Sequence, residues 1–161
     1  MINMRLWHQK LIPYLDKKRL LGQHRECCAL RGKGWGKKHS VVDYVFKHGL
    51  DHLYAYHCLV MHEMARQFNA NIDAKWYNRL YRGKSLLEST LDDVGTFVYS
   101  IDDPTTHPFI YPEHNDKYLL ECLVNLKSKG AELVNGESIA HMIVGLNLKG
   151  ILDKDDKVEM G

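Results

Sequence analysis

The residues best suited to chemistry lie in one short segment near the start of the chain, residues 20–28 (LLGQHRECC). Glu26 follows Arg25 there and is the only glutamate among the first 62 residues. A carboxylate can stabilise an oxocarbenium-like sugar or move a proton, and a guanidinium binds phosphate. The pair is also consistent with a surface ion pair worth at most about 1 kcal/mol.

A metal site is the second chemistry that this segment allows. His24, Cys27 and Cys28 stand at i, i+3 and i+4, so all three can project from one side of a helix. No CxxC or HExxH motif accompanies them, and core histidines and small buried thiols are common on such apolar stripes. The spacing leaves open a metal-dependent hydrolase that uses these three residues, although we expect neither a metal nor an organic cofactor.

A basic loop with one aromatic ring follows the segment, at residues 32–39 (GKGWGKKH). Such a loop suits a nucleic-acid backbone with a stacked or inserted ring, and it is equally consistent with a mobile, solvated loop. Residues 1–50 hold 11 Lys and Arg against 3 acidic residues, a net charge of +8, whereas the remainder carries −6. This asymmetry favours a polyanion-binding face in the N-terminal third.

The chain of 161 residues, 45% of them hydrophobic, is long enough for one domain with its own core. We expect a single domain over residues 1–161, with a charged, frayed tail from about residue 150. No stretch approaches 18 apolar residues, and the N-terminus lacks the apolar block of a signal peptide. The 4 cysteines then predict reduced thiols in a cytoplasmic protein.

The apolar periodicity predicts a mainly α domain. Asp16 caps a first helix and Gly32 ends it. A clear amphipathic helix follows at about 50–68, with one apolar face. That face comprises Leu53, His57, Val60, Met61, Met64 and Phe68.

The C-terminal part predicts two more helices. One begins at Pro112 and ends before Gly130, and the other runs from about Glu137 to Leu148. The best strand candidate is residues 95–101. The buried face of the first of these helices is expected to comprise Leu119, Cys122, Leu123 and Leu126.

Several segments together resemble the pyrimidine-dimer DNA glycosylase family of the phage endonuclease V type. The His-Arg-Glu helix behind an N-terminal arginine, Arg5, is the most specific element, and the resemblance runs in order over roughly residues 4–130. The matching segments are residues 5–7 (RLW), 20–26 (LLGQHRE), the basic loop, 53–57 (LYAYH), 60–64 (VMHEM) and 111–114 (YPEH).

The resemblance implies a compact, mainly helical enzyme that binds damaged duplex DNA and extrudes a nucleotide. We expect it to act as a monomer, away from membranes. In this family the α-amine of the first residue attacks C1′ of the damaged nucleotide, a Schiff base forms, and β-elimination nicks the strand. Glu26 matches the catalytic glutamate, and Arg25 the arginine beside it that holds DNA. The amine precedes the residue equivalent to Arg5, so it belongs to Met4 if the native chain starts there, and otherwise to Met1.

The same resemblance and the basic loop define a predicted DNA-contacting set in which Trp35 is a candidate wedge between bases. The C-terminal tail and Ala29 differ from the family pattern, so pyrimidine dimers, related lesions and plain abasic sites all stay open as substrates. A non-catalytic DNA-binding module of the same fold is the alternative function besides the metal-dependent hydrolase. The predicted DNA contacts are Arg5, His24, Arg25, Arg31, Lys33, Trp35, Lys37, Lys38 and His39.

Overall fold

A computed structural model of the chain describes residues 6–35, 43–83, 85–86 and 109–150. Within these ranges the structure is mainly α, as predicted. A two-stranded antiparallel hairpin pairs Tyr81 with Leu86 and Arg82 with Ser85. The helices are α1 (Lys17–Arg31), α2 (Asp43–His48), α3 (Leu50–Phe68), α4 (Asp116–Ser128) and α5 (Ile139–Leu148); 3-10 helices span Gln9–Tyr14 and Ala74–Tyr77, and the strands are β1 (Tyr81–Arg82) and β2 (Ser85–Leu86).

Helix α1 has the ends that the sequence predicts. The Asp16 carboxylate accepts the Arg19 backbone N–H at 2.9 Å, and the Gly32 N–H closes the helix on the carbonyls of Cys28 and Ala29. Beyond the helix, the N–H of Gly34 returns to the Ala29 carbonyl at 2.8 Å. A Cβ at position 34 would lie 2.8 Å from that oxygen, so the turn into the basic loop requires glycine there.

Helix α3 is the centre of the core and matches its predicted bounds. It packs lengthwise on α1, because each helix presents a stripe of apolar side chains to the other. These stripes include Leu20, Cys27 and Leu30 of α1 and Leu53, Tyr56, Val60 and Met64 of α3.

The predicted start of α4 is wrong by one turn. Pro112 lies in a turn closed by the His114 N–H on the Tyr111 carbonyl, and the helix begins only after Asn115, whose side chain accepts the Tyr118 N–H at 2.9 Å. Asparagine provides the side-chain cap that proline lacks, and this decides the boundary. The predicted buried face of α4 is confirmed at Leu119, Cys122, Leu123 and Leu126.

The sequence does not predict α2, the two 3-10 helices or the short hairpin, since none of them is long enough to show a period. Helix α5 begins two residues after Glu137, at a Ser138 cap, and ends at Leu148 as predicted. The strand expected at residues 95–101 and most of the charged tail lie outside the described residues.

None of the helices in the described part of the chain has the length and apolarity needed to cross a membrane.

Side chains from three helices hold the segment that enters the domain at Leu6. The Tyr118 hydroxyl of α4 donates to the Leu6 carbonyl at 2.5 Å, and the Tyr56 hydroxyl of α3 donates to the Trp7 carbonyl. The Trp7 N–H donates to the Gln23 side chain of α1 at 2.7 Å. The start of the described chain is therefore fixed against the core at both of its first residues.

Two stacked, buried histidines also hold the N-terminal segment in place. The rings of His8 and His114 lie 5.2 Å apart, and their Nδ1 atoms accept the backbone N–H groups of Lys10 and Gln9, both at 3.0 Å. Burial lowers the pKa of His8 to about 4 and that of His114 to about 3. Both rings are neutral in the folded protein, because protonating Nδ1 would break a backbone hydrogen bond.

Acid should therefore destabilise the fold well above the pH at which these rings titrate in place. An unfolded histidine binds a proton near pH 6.5. Between about pH 6.5 and 4, each of these rings therefore lowers the free energy of unfolding by about 1.4 kcal/mol for every unit by which the pH falls. His8→Asn keeps an acceptor for the Lys10 N–H and does not titrate. The free energy of unfolding, measured with urea, should therefore depend less steeply on pH in this variant, by about 1.4 kcal/mol per pH unit. His62→Asn, at an exposed position on α3, is the control; identical curves for His8→Asn and wild type would contradict the assignment.

Candidate active site

Glu26 is half-buried on the flank of α1 that faces the incoming N-terminal segment. Its Oε2 accepts a hydrogen bond from Gln23 Nε2 at 3.1 Å. The other end of the same amide, Gln23 Oε1, accepts the Trp7 N–H at 2.7 Å. One side chain thus joins the predicted catalytic carboxylate to the segment that carries the start of the chain.

The predicted nucleophiles, the α-amines of Met4 or Met1, lie outside the described residues, as do Arg5, Lys37, Lys38 and His39. Their roles stay predictions. Arg25, next to Glu26, and Lys33, just past the end of α1, are both exposed. Two of the predicted phosphate contacts are therefore accessible to solvent.

Trp35, the candidate wedge, is partly buried against the core. Its ring meets Phe46 edge to face at 4.9 Å, and the Arg82 guanidinium lies 5.9 Å from its centroid. Arg82 also donates to the Arg31 carbonyl at 2.5 Å, at the end of α1. This placement gives Trp35 a packing role at the base of the basic loop and does not present it as a projecting wedge.

The prediction that Arg31 contacts DNA needs correction, because its side chain is 1% exposed. Its guanidinium donates to the carbonyls of Trp76 at 2.7 Å and Asn78 at 2.8 Å, and it lies over the rings of Tyr54 and Trp76. Position 31 is one turn after Cys27 on the core-facing stripe, so its long stem runs inward. Arg31 connects α1 to the segment that follows α3 and does not face solvent.

Arg31 also sets the protonation of two histidines. It donates to His57 Nδ1 at 2.8 Å, and because arginine is only a donor, the proton of neutral His57 must lie on Nε2. That Nε2–H donates to His24 Nδ1 at 2.8 Å, which leaves the proton of His24 on its own Nε2. Burial, with the nearby arginines, lowers the pKa of both rings. His24, a predicted DNA contact, is therefore a neutral, half-exposed hydrogen-bond donor.

The structure changes which residues could act together as metal ligands. Cys27 is completely buried in the core, whereas His24, Cys28 and His57 bring possible ligand atoms within 4.8 Å of one another. The Sγ of Cys28 lies 3.9 Å from His57 Nε2, but that nitrogen carries a proton directed at His24. Burial raises the pKa of the Cys28 thiol to about 11, and the Arg31 charge lies beside His57. This chemistry favours a hydrogen-bonded network over a cation site.

Sequence reasoning missed Gln23, Tyr56 and His57 as members of the site. Gln23 stands three residues before Glu26, a spacing that brings two side chains of a helix together, and this was the only local signal. Contacts of Tyr56 and His57 with α1 span 33 residues of sequence, so no pattern within one helix reports them.

Comparison with known proteins supports the resemblance. Residues 4–78 match the model of the pyrimidine dimer DNA glycosylase family. The match covers α1, α2, α3 and the residues that surround Glu26. No curated protein and no solved structure gives a significant match.

Replacing Arg31 should destabilise the fold far more than replacing its exposed neighbour on α1. Arg31→Met keeps the volume but leaves buried carbonyls without donors, so the free energy of unfolding should fall by about 2–4 kcal/mol. Arg25→Met should change it by no more than about 0.5 kcal/mol. Urea denaturation measures both, and equal midpoints would contradict the structural role of Arg31.

Proposed function

We propose that this chain, whose residues 4–78 match the model of the pyrimidine dimer DNA glycosylase family, is a DNA-repair glycosylase that also cleaves the resulting abasic site. The family supports a DNA glycosylase that acts on pyrimidine dimers; the lyase step and its Schiff-base chemistry are our proposal. The observation that carries it is the amide of Gln23, which connects Glu26 to the backbone of Trp7, close to the start of the matched region.

The proposed nucleophile is the chain-terminal α-amine. Its pKa near 7.8 leaves roughly 14% unprotonated at pH 7, against about 0.04% of a lysine. The amine nitrogen bonds to C1′ as the glycosidic bond breaks, and the base leaves with that electron pair and takes up a proton. The nitrogen loses a proton, and the sugar ring opens: the C1′–O4′ bond breaks, O4′ takes up a proton, and the nitrogen electron pair forms the protonated imine. Removal of a C2′ proton then expels the 3′ phosphate oxygen.

We assign a role in both steps to Glu26. Its carboxylate can stabilise the positive charge that develops at the sugar and then accept the C2′ proton. Hydrogen bonding to Gln23 orients the carboxylate on the flank of α1 next to Trp7.

Met4 is within reach of Glu26, and the start of the family match favours it over Met1 as the source of the amine. The contacts of Gln23 place Glu26 Oε2 within about 8 Å of the Trp7 nitrogen. Met4 precedes Trp7 by three residues, so its nitrogen is at most about 11 Å from that of Trp7. The family match also begins at Met4. Met1 is the alternative if the longer chain is the active one.

The DNA-binding surface of this proposal comprises Arg25 and Lys33 together with the predicted Arg5, Lys37, Lys38 and His39. Each phosphate neutralised by such a side chain releases counterion, so affinity should fall steeply with salt. A monomer in the cytoplasm is part of the same proposal, supported by 4 cysteines that are all free thiols.

Borohydride trapping on duplex DNA with a pyrimidine dimer or an abasic site tests this function. The chain should form a covalent adduct, and mass spectrometry of the linked peptide should locate the nucleophile. Comparing the chain with and without residues 1–3 separates Met1 from Met4. Salt-sensitive binding without any adduct would favour the non-catalytic DNA-binding module and would contradict the enzymatic proposal.

Glu26→Gln should remove catalysis and keep binding. Loss of a general base costs about 10²–10⁴-fold in rate, so we expect nicking to fall by that factor while the Kd for abasic duplex stays within about threefold. Glu121→Gln, at an exposed position on α4, should match wild type in both measurements. Loss of binding in Glu26→Gln would instead assign Glu26 a structural role.

Gly22 offers a test of how closely the substrate approaches α1. It stands one turn before Glu26 in the interior of α1, and an added Cβ would meet no atom within 4 Å. Gly22→Ala should therefore stabilise the fold by about 0.5–1 kcal/mol. If the sugar-phosphate backbone lies against this turn, the same variant should weaken binding to abasic duplex by about tenfold, which is about 1.4 kcal/mol.

Gly145→Ala is the matched control, because Gly145 also lies inside a helix with open space around an added Cβ and belongs to α5. It should gain similar stability and leave binding and nicking unchanged. Unchanged binding in Gly22→Ala would show that the substrate does not approach this turn.

A further inference from the structure

Gln23 is almost completely buried, with 1% of its surface exposed, and it lies where α1, α3 and the N-terminal segment meet. Its Oε1 accepts the Trp7 N–H at 2.7 Å and lies 2.9 Å from the Tyr56 hydroxyl. Its Nε2 donates to Glu26 Oε2 at 3.1 Å. Both ends of the amide therefore have partners that complement them.

These partners allow only one orientation of the amide. Turning it over would place the NH₂ group against the Trp7 N–H, donor against donor, and the carbonyl oxygen against the Glu26 carboxylate, acceptor against acceptor. Tyr56 adds a further constraint, since its hydroxyl also donates to the Trp7 carbonyl. The backbone at Trp7 is held on both its N–H and its carbonyl.

We infer that Gln23 is a positioning residue for the proposed reaction, which holds the N-terminal segment and the Glu26 carboxylate in one fixed relation through a single buried amide. The inference rests on the proposed function. Because Gln23 is buried, it does not touch the substrate; it holds the backbone of Trp7 and orients the Glu26 carboxylate that the amine must meet.

Glutamate is the most informative replacement, because it is nearly isosteric with glutamine. Gln23→Glu still accepts the Trp7 N–H, but it loses the donor to Glu26 and adds a like charge beside that carboxylate. We expect kcat for nicking abasic duplex to fall at least about tenfold with KM within about threefold, since phosphate contacts are untouched. The ¹³C signal of the Glu26 carboxyl should titrate at higher pH than in wild type.

Gln67→Glu is the matched control. Gln67, on α3, also holds the N-terminal part of the chain, donating to the carbonyls of Pro13 and Leu15 at 3.3 Å, but neither contact involves Glu26. It should leave kcat and the Glu26 titration unchanged. A wild-type titration and kcat in Gln23→Glu, in an otherwise active protein, would overturn the inference.

A second measurement serves if Gln23→Glu does not fold. In wild type, the side-chain NH₂ resonance of Gln23 should move as Glu26 titrates, and this movement should vanish in Glu26→Gln. An unresponsive Gln23 resonance would overturn the inference. Absence of any trapped adduct in wild type would instead contradict the proposed function, and the Gln23 titration would still report the contact itself.

Discussion

The buried amide of Gln23 is the constraint on which the site depends. It joins the backbone of Trp7, close to the chain start, to the one early glutamate. With it, two groups that are 19 residues apart in sequence become neighbours.

Helix α1 can hold Gln23 in this position because its two flanks make different contacts. Successive residues are rotated by about 100° around a helix, so His24 and Glu26 lie on opposite sides of the buried stripe that contains Gln23 and Cys27. On the His24 side, Arg31, His57 and His24 form a directed chain of hydrogen bonds that fastens α1 to α3 and to Trp76. On the Glu26 side, Gln23 joins the carboxylate to the backbone of Trp7, and Arg25 lies on the exposed face opposite the buried stripe.

Local chemistry made part of this fold predictable. Asp16 and Gly32 mark the ends of α1 by their own side-chain and backbone properties, and the apolar period of α3 is long enough to be unambiguous. The start of α4 was misplaced because proline signals a first turn, whereas Asn115 supplies the actual cap. Glu26 could be singled out because its type and surroundings in the sequence are unusual.

The remaining site members could not be predicted, because long-range contacts define them. Arg31 carries a charge and was assigned to the surface, yet backbone carbonyls from beyond α3 and two aromatic rings make its burial possible. Cys27 and Cys28 are adjacent in sequence, but only the structure separates the core thiol from the one beside His24.

The proposed function requires the chain-terminal amine to come close to Glu26, and titrating that amine tests this requirement most directly. Reductive ¹³C-methylation of the α-amine followed by NMR gives its pKa without relying on activity. A nearby carboxylate favours the protonated amine, so the account predicts a lower amine pKa in Glu26→Gln than in wild type. An amine that titrates identically in both proteins would contradict it.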